Sequence, residues 1–212
     1  MQIIRIKLKR EKILINDNDY WNSFYKANGV IHSPSFFAKH VESTYFETEK
    51  SLLELGCGNG RDAIYFAEHG KKVSALDLST QTIQDLTSLN VKNARFFNQD
   101  FSQLTAFKDF DYVYSRFTLH SIDDETESMV FQQLPQVLKK GGLLLIEARS
   151  LKDEKLDKVF GTTHFRRYLN YTETVKKIER LNFKIIENVE SQGLSPYQDE
   201  DPYLLRIVAQ KL

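Results

Sequence analysis

From residue 51 onward, short apolar runs alternate with segments of helical spacing, and this alternation constrains the fold more than any other feature. Seven runs have strand character, namely 51–56, 72–78, 94–100, 110–117, 143–148, 183–190 and 203–212. Helical periodicity, closed by a glycine or asparagine, marks the segments 61–70, 79–90, 126–142 and 172–182. Strands joined by helices run parallel through right-handed crossovers, whereas the last two runs have no helix between them and should pair antiparallel.

The predicted fold is therefore α/β, with a Rossmann-like seven-stranded sheet and helices on both faces. The sheet is expected to be mostly parallel, with an antiparallel last strand that gives it a reversed edge. No repeat or Gly/Ser/Pro-rich linker divides the 212 residues, so one domain is expected. Residues 51–212 would form its core, 18–50 an aromatic-rich helical cover, and 1–17 an N-terminal extension built as a strand or hairpin.

Composition narrows the class of protein. Lys plus Arg (29) equals Asp plus Glu (29), and this balance argues against a nucleic-acid partner, which usually selects a basic excess. Cys57 is the only cysteine, so no internal disulfide can form, and no apolar run reaches the length of a membrane span. The chain is therefore expected to be cytoplasmic, without a membrane or nucleic-acid partner. No His, Cys, Asp or Glu spacing is typical of a metal site, so no metal is expected, and the oligomeric state is left open.

The segment 52–62, LLELGCGNGRD, predicts a ligand-binding turn between a strand and a helix. Its three glycines are Gly56, Gly58 and Gly60. Glycines allow a tight turn and a close approach of backbone N–H groups to a ligand beside a helix N-terminus. The spacing departs from the dinucleotide pattern GxGxxG, because Arg61 stands where that pattern has its last glycine. Glu54, just before the turn, suits a ligand with a positively charged amino-acid portion. The plainer alternative is a tight connection with no ligand.

Acidic residues end the next two predicted strands, at the same edge of the sheet as the glycines. Asp77 can accept hydrogen bonds from ribose hydroxyls, and Asp100 can accept one from an adenine amino group. Leu78 and Phe101 follow them and are placed to line the faces of an adenine ring. A glycine turn with acids at two successive strand ends predicts a nucleoside-containing cofactor.

The motifs ELGCGNGRD, ALDLS and NQDF resemble those of class I S-adenosylmethionine-dependent methyltransferases, over residues 51–212. The resemblance implies S-adenosyl-L-methionine as the cofactor and methyl transfer as the activity. It adds Arg61 and Asp62, beside the glycines, and Ser115, at the end of the fourth strand, to the candidate cofactor-binding residues. More narrowly, YWNSFY and HFRRY resemble methyltransferases associated with bacterial capsule or surface-glycan precursors. In that subgroup an N-terminal aromatic segment folds over the cofactor, so Tyr20, Trp21 and Tyr25 would form a lid. Tyr25 is also a candidate catalytic residue.

Basic residues near the ends of the fourth and fifth strands predict a small anionic acceptor. The candidate substrate-binding residues are Arg116, Arg149, His164 and Arg166, since guanidinium groups match phosphate or carboxylate. His120 is a candidate catalytic residue that would orient the acceptor, with a structural histidine as an equal alternative. A phosphorylated or nucleotide-linked glycan precursor, methylated on oxygen, fits this set. The segment 115–118, SRFT, lacks the [N/D]-P-P-[Y/F] turn of amino-methylating DNA enzymes.

Two alternatives from other classes remain open at this point. One is a catalytically silent protein that binds S-adenosylmethionine for regulation. The other is a nucleotide-binding oxidoreductase, which the glycine spacing disfavours.

Overall fold

The computed structural model describes residues 33–156 and 166–212. All seven predicted strands are present there. They are β1 (Ser51–Leu55), β2 (Lys72–Asp77), β3 (Ala94–Asn98), β4 (Phe110–Arg116), β5 (Leu138–Arg149), β6 (Phe183–Ser191) and β7 (Leu204–Lys211). The α-helices of the described ranges are α1 (Phe36–Tyr45), α2 (Arg61–Glu68), α3 (Thr80–Ser88), α4 (Asp124–Val137) and α5 (Tyr171–Arg180). Two 3₁₀ turns, Leu119–Ser121 and Leu151–Lys155, follow β4 and β5.

The strands form one sheet in the order β3-β2-β1-β4-β5-β7-β6. The first five strands pair in parallel, and β7 pairs antiparallel to both β5 and β6. The predicted antiparallel last strand is thus confirmed. The antiparallel strand was expected at the edge of the sheet. Instead β7 inserts between β5 and β6, and β6 is the edge strand. The burial patterns agree with this order: six of the eight residues of β7 are buried, whereas in β6 only Phe183 is buried and the other positions are partly or fully exposed, as suits an edge strand.

Helices cover both faces of the sheet, as predicted. Helices α1, α2 and α3 bury Phe37, Phe66 and Leu86 in one apolar cluster, and α4 and α5 bury Phe131 and Ile178 in another. Because successive strand residues face opposite sides, every central strand contributes to both clusters. The core therefore packs against both faces of the sheet and holds the carboxyl ends of its parallel strands side by side, where folds of this kind carry a site.

The helix predicted over 126–142 ends earlier than expected. Helix α4 stops at Val137, and the segment LKKGG begins β5 at Leu138 rather than closing the helix. Leu138 pairs with Phe110 of β4, and a register shift follows before Tyr112 pairs with Leu143. Sheet pairing here overrides a local helix-stop signal.

Helix α1 belongs to the segment that was predicted as a cover. Its N-cap is Ser35, whose hydroxyl accepts a hydrogen bond from the amide of Ala38. Phe37 is fully buried and stacks on Tyr114 with ring centroids 5.3 Å apart, so α1 is a core element of the sheet face. Residues 18–32, which carry Tyr20, Trp21 and Tyr25, and the extension 1–17 lie outside the described residues.

Candidate active site

The glycine turn after β1 has a backbone that only glycine adopts readily. Gly56, Gly58 and Gly60 have φ of 73°, 52° and 76°, in the left-handed region. A Cβ at Gly56 would lie 2.2 Å from Cγ2 of Thr118, and one at Gly60 would lie 2.5 Å from Cδ2 of Leu86. The turn is therefore closely packed between the chain after β4 and helix α3.

Asp77, at the end of β2, connects this turn to helix α3. Its Oδ2 accepts a hydrogen bond from the amide of Gly58 at 2.9 Å, and its Oδ1 accepts one from the amide of Ser79 at 2.9 Å. Burial raises the pKa of Asp77, and these backbone N–H groups act in the opposite direction. Each carboxylate oxygen has a second lone pair, so Asp77 can also accept from ligand hydroxyls.

Glu54 places a carboxyl group inside the sheet next to the turn. Its side chain is buried, and its Oε2 has no hydrogen-bond partner among the residues that the structure describes. Burial raises the pKa of Glu54 well above its ordinary value, the charge of Asp62 raises it further, and Arg61 and Arg116 lower it. An unsatisfied buried carboxyl oxygen is costly, and a cationic group that donates a hydrogen bond would satisfy it.

Asp62, a predicted cofactor residue, already has internal partners on both carboxylate oxygens. Oδ1 accepts from the amide of Ser35 at 2.8 Å. Oδ2 accepts from the hydroxyl of Ser35 at 2.7 Å and from that of Tyr114 at 2.9 Å. Asp62 therefore anchors the start of α1 to the start of α2, beside the glycine turn. Arg61 lies next to it, with its Nε 3.8 Å from Oδ1 of Asp62.

The residues predicted to contact adenine lie at the same edge of the sheet. Leu78 is 44% exposed, which is unusual for leucine and leaves an apolar surface beside Asp77. Phe101 is almost buried, with Cε1 3.6 Å from the position of a Cβ at Gly56. Asp100 accepts a hydrogen bond at Oδ1 from the amide of Ser102 at 2.8 Å.

The chain after β4 turns sharply beside the glycines. The hydroxyls of Ser115 and Thr118 are 2.5 Å apart, and the 3₁₀ turn that follows buries His120. Nδ1 of His120 accepts a hydrogen bond from the amide of Arg149 at 3.3 Å. A neutral ring in this arrangement carries its proton on Nε2, which suits His120 to donate a hydrogen bond rather than to abstract a proton.

Arg116 belongs to a buried cluster of charges that the sequence patterns did not predict. Its Nε donates to Oε1 of Glu147 at 2.8 Å, and Arg206 donates from Nε to Oε2 of the same carboxylate at 2.6 Å. Glu147 is fully buried. The sequence did offer a signal for this cluster, since Glu147 and Arg206 are charged residues inside the apolar runs LLLIEA and LLRIVA.

Arg149 and Arg166, both predicted to bind substrate, lie close to each other but not in a free cationic site. The guanidinium of Arg149 donates to Asp153 and to Glu200, each at 2.7 Å. Burial lowers the pKa of Arg166, and the charge of Arg149 lowers it further. A cavity of about 290 Å³ adjoins Arg149; it is lined by Arg149, Asp153, Leu156, Gln192, Asp199, Glu200, Asp201 and Pro202. His164 lies outside the described residues.

Within residues 33–156 and 166–212, no three His, Cys, Asp or Glu side chains are grouped so that they could hold a metal ion. No helix in these ranges is long and apolar enough to cross a membrane.

Comparison with known proteins agrees with this architecture. Residues 52–142 match the sequence model of a family described as "Methyltransferase domain". A curated relative from Geobacillus sp. (strain WCH70), named as a methyltransferase, is 28% identical over 131 residues, which are 59% of this chain and 52% of the relative. The chain thus spans about half of that relative's length. The methyltransferase resemblance predicted from the motifs is confirmed for residues 52–142.

Two solved structures share the fold. A Burkholderia thailandensis 1,6-didemethyltoxoflavin-N1-methyltransferase, with bound 1,6-didemethyltoxoflavin and S-adenosylhomocysteine, has a TM-score of 0.73 at 18% identity, covering 95% of this chain and 89% of its own. A structure from Methanosarcina mazei described as a SAM-dependent methyltransferase has a TM-score of 0.67 at 20% identity, covering 81% of this chain and 97% of its own. At these identities the likeness establishes the Rossmann-like methyltransferase fold.

Proposed function

We propose that this chain, whose residues 52–142 match the methyltransferase domain family, binds S-adenosyl-L-methionine and transfers its methyl group to a small acceptor. The observation that carries the proposal is the unsatisfied Oε2 of Glu54, buried beside a turn of three left-handed glycines. The ammonium group of the cofactor's methionine portion is the donor that this oxygen lacks. Neither a plain structural turn nor a pyrophosphate site accounts for a buried carboxyl at this position.

The other residues of the edge complete the proposed cofactor site. Asp77 would accept hydrogen bonds from the ribose hydroxyls, while Leu78 and Phe101 would flank the adenine and Asp100 would accept from its amino group. The bound cofactor supplies an electrophilic methyl group on a sulfonium. The protein then has to orient the acceptor and exclude water. His120, with its Nε2 proton, would orient the acceptor.

The acceptor in our proposal is a small anion, such as a phosphorylated or nucleotide-linked glycan precursor, methylated on oxygen. Its support is the position of Arg116, a partly exposed guanidinium group at the end of β4, level with the glycine turn. Glu147 is shared by Arg116 and Arg206, and the charges of Asp62 and Glu187 also act on these two groups, so the support is the place of Arg116 and not an excess of positive charge. Arg149 adds no support, because Asp153 and Glu200 already balance it. The cytoplasmic location and the absence of a nucleic-acid partner remain part of the proposal, on the sequence grounds given above.

The proposal is tested by calorimetric titration with S-adenosylhomocysteine. We expect binding to the wild-type protein and a loss of about 1.5–3 kcal/mol, roughly tenfold to a hundredfold in affinity, in Glu54→Gln, because a charge-assisted hydrogen bond is removed. Glu125→Gln, an exposed position on α4, is the matched control and should bind normally. Failure of the wild-type protein to bind would refute the proposal, and an unaltered Glu54→Gln would refute the role of Glu54.

Turnover separates an enzyme from a silent binding protein. Purified protein with S-adenosylmethionine should release S-adenosylhomocysteine when phosphorylated sugars or nucleotide-linked sugars are added. Release only with neutral acceptors would contradict the anionic class, and binding without release across the panel would favour the regulatory alternative.

A further inference from the structure

Phe117, the residue directly after β4, holds its backbone in the left-handed region with φ 58°. Bulky side chains rarely adopt this conformation, because Cβ approaches the following carbonyl oxygen. The other non-glycine residues with positive φ in the described ranges are polar: Glu49, Asn90, Asn93, Asp109, Asn182 and Gln198. Strain at an aromatic residue beside a candidate active site therefore points to a functional reason.

The contacts around Phe117 fix this strained conformation. Its amide donates to the carbonyl oxygen of Glu147 at 2.9 Å, which ties it to β5. On its other side, the Thr118 methyl carbon closely approaches Gly56 of the glycine turn. Phe117 is thus adjacent in sequence to the residue that contacts the proposed cofactor loop.

Core packing does not offset the strain. Phe117 belongs to neither of the two apolar clusters of the described residues, and its side chain is partly exposed. The guanidinium carbon of Arg116 lies over the ring, 4.1 Å from its centroid, and the ring of His120 lies 5.4 Å away at 50°. Phe117 therefore contacts two residues that are proposed to face the acceptor, and the ring face away from Arg116 is the one considered for the acceptor.

We infer that Phe117 is a specificity-determining residue whose ring forms a wall for an acceptor that contains a six-membered ring with a flat apolar face. Both the C–H face of a sugar and an aromatic ring have this chemistry, and both stack on phenylalanine. The inference rests on the proposed function, since it places the acceptor next to the cofactor loop. It implies that the strain is kept for binding at a cost in stability.

Thermal unfolding tests the strain. Phe117→Gly and Phe117→Ala both remove the ring, but only glycine relieves the left-handed conformation, so the glycine variant should melt about 2–4 °C above the alanine variant. Asp109→Gly and Asp109→Ala, at an exposed left-handed residue just before β4, form the control pair and should show a similar difference. An alanine variant that melts at or above the glycine variant would overturn the inference.

Binding of three singly charged carboxylates tests whether the Phe117 ring forms a wall for a ring-containing acceptor. Saturation-transfer NMR on protein loaded with S-adenosylhomocysteine would compare benzoate and methyl β-D-glucuronoside with the acyclic hexanoate. We expect the wild-type protein to favour one ring probe over hexanoate by about threefold or more, in line with the size of aromatic pair energies. The preferred ring probe identifies an aromatic or a sugar acceptor.

The preference for a ring probe over hexanoate should be absent in Phe117→Gly and Phe117→Ala and present in Phe117→Tyr. The affinity for S-adenosylhomocysteine should be unchanged in all three variants. Equal signals from all three probes in the wild-type protein, or a ring preference that survives in the glycine and alanine variants, would overturn the inference. If the wild-type protein does not bind S-adenosylhomocysteine at all, that result would instead refute the proposed function.

Discussion

At the scale of single residues, Glu54 is a candidate site residue that lowers the stability of the fold, because its carboxyl group is buried. Its neighbours in β1, Leu52, Leu53 and Leu55, are buried, and the strand carries the carboxyl group into the same apolar interior. Burial disfavours the charged form, so the folded protein holds the Glu54 proton to a higher pH than the unfolded chain does. Glu54 therefore lowers stability wherever the unfolded chain would ionise it.

We expect Glu54→Gln to be more stable than the wild-type protein at neutral pH and equal to it in acid. Between the ordinary pKa of 4.5 and the raised pKa, the native state binds more protons than the unfolded state, so wild-type stability falls as pH rises through this window. Glutamine imitates the neutral carboxyl and lacks this dependence. Urea unfolding of both proteins from about pH 4 to pH 8 measures the difference. A difference that does not grow with pH would contradict the burial effect at Glu54.

At the scale of elements, the connection from β1 to α2 works because its glycines allow close contact with other elements. Gly56 meets Thr118 of the turn after β4, and Gly60 meets Leu86 of α3. Gly193, in the β6–β7 loop, has a similar φ of 77°, but no atom of the described residues lies within 4 Å of the position that a Cβ would take there. A substitution at Gly193 would cost only the free energy of the left-handed backbone, whereas one at Gly56 or Gly60 would add the cost of overlap with a neighbouring side chain.

Gly193→Ala should lose about 1–2 kcal/mol of unfolding free energy from the left-handed conformation alone. Gly56→Ala should lose about 1–3 kcal/mol more, because its new methyl group overlaps Cγ2 of Thr118. Thr118→Ser removes that carbon and keeps the hydroxyl, so the double variant should recover part of the loss. Urea unfolding of the four variants gives these values, and a Gly56→Ala no worse than Gly193→Ala would show that the turn adapts.

At the scale of the whole molecule, the sheet assembles charges from three strands into one cluster. Arg116 of β4, Glu147 of β5 and Arg206 of β7 are direct neighbours in the strand registers. The cluster also holds the β6–β7 loop, since the hydroxyl of Ser195 donates to Glu147 and Arg206 donates to the carbonyl oxygen of Leu194. The candidate acceptor side of the site thus depends on contacts between distant parts of the chain.

Glu147→Gln should destabilise the protein by about 3–5 kcal/mol, because two buried guanidinium groups lose their shared countercharge. The control is Glu173→Gln, which removes an exposed partner of Lys176 and should cost less than about 1 kcal/mol. Urea unfolding measures both, and amide exchange should rise in the β6–β7 loop of Glu147→Gln alone. Equal, small losses in the two variants would show that the cluster contributes little to stability.

The sequence by itself determined the strands, the crossover helices and the sheet edge at which the candidate cofactor-binding residues lie. These follow from local patterns: apolar runs of strand length, helix stops, and a glycine turn followed by Asp77 at the next strand end. Once strands alternate with helices, right-handed crossovers bring the carboxyl ends of parallel strands together. The proximity of Gly58 and Asp77 could therefore be predicted from local patterns alone.

Only the tertiary structure decided which partners the charged and aromatic residues meet. The insertion of β7 between β5 and β6 brings Arg206 to Glu147, and the β6–β7 loop brings Glu200 to Arg149. The same packing leaves Oε2 of Glu54 unsatisfied among the described residues and fixes Phe117 in its strained turn. Periodicity reports which face of an element is apolar, but it carries no information about which distant strand will bury that face, and those long-range pairings set the charge and shape of the site.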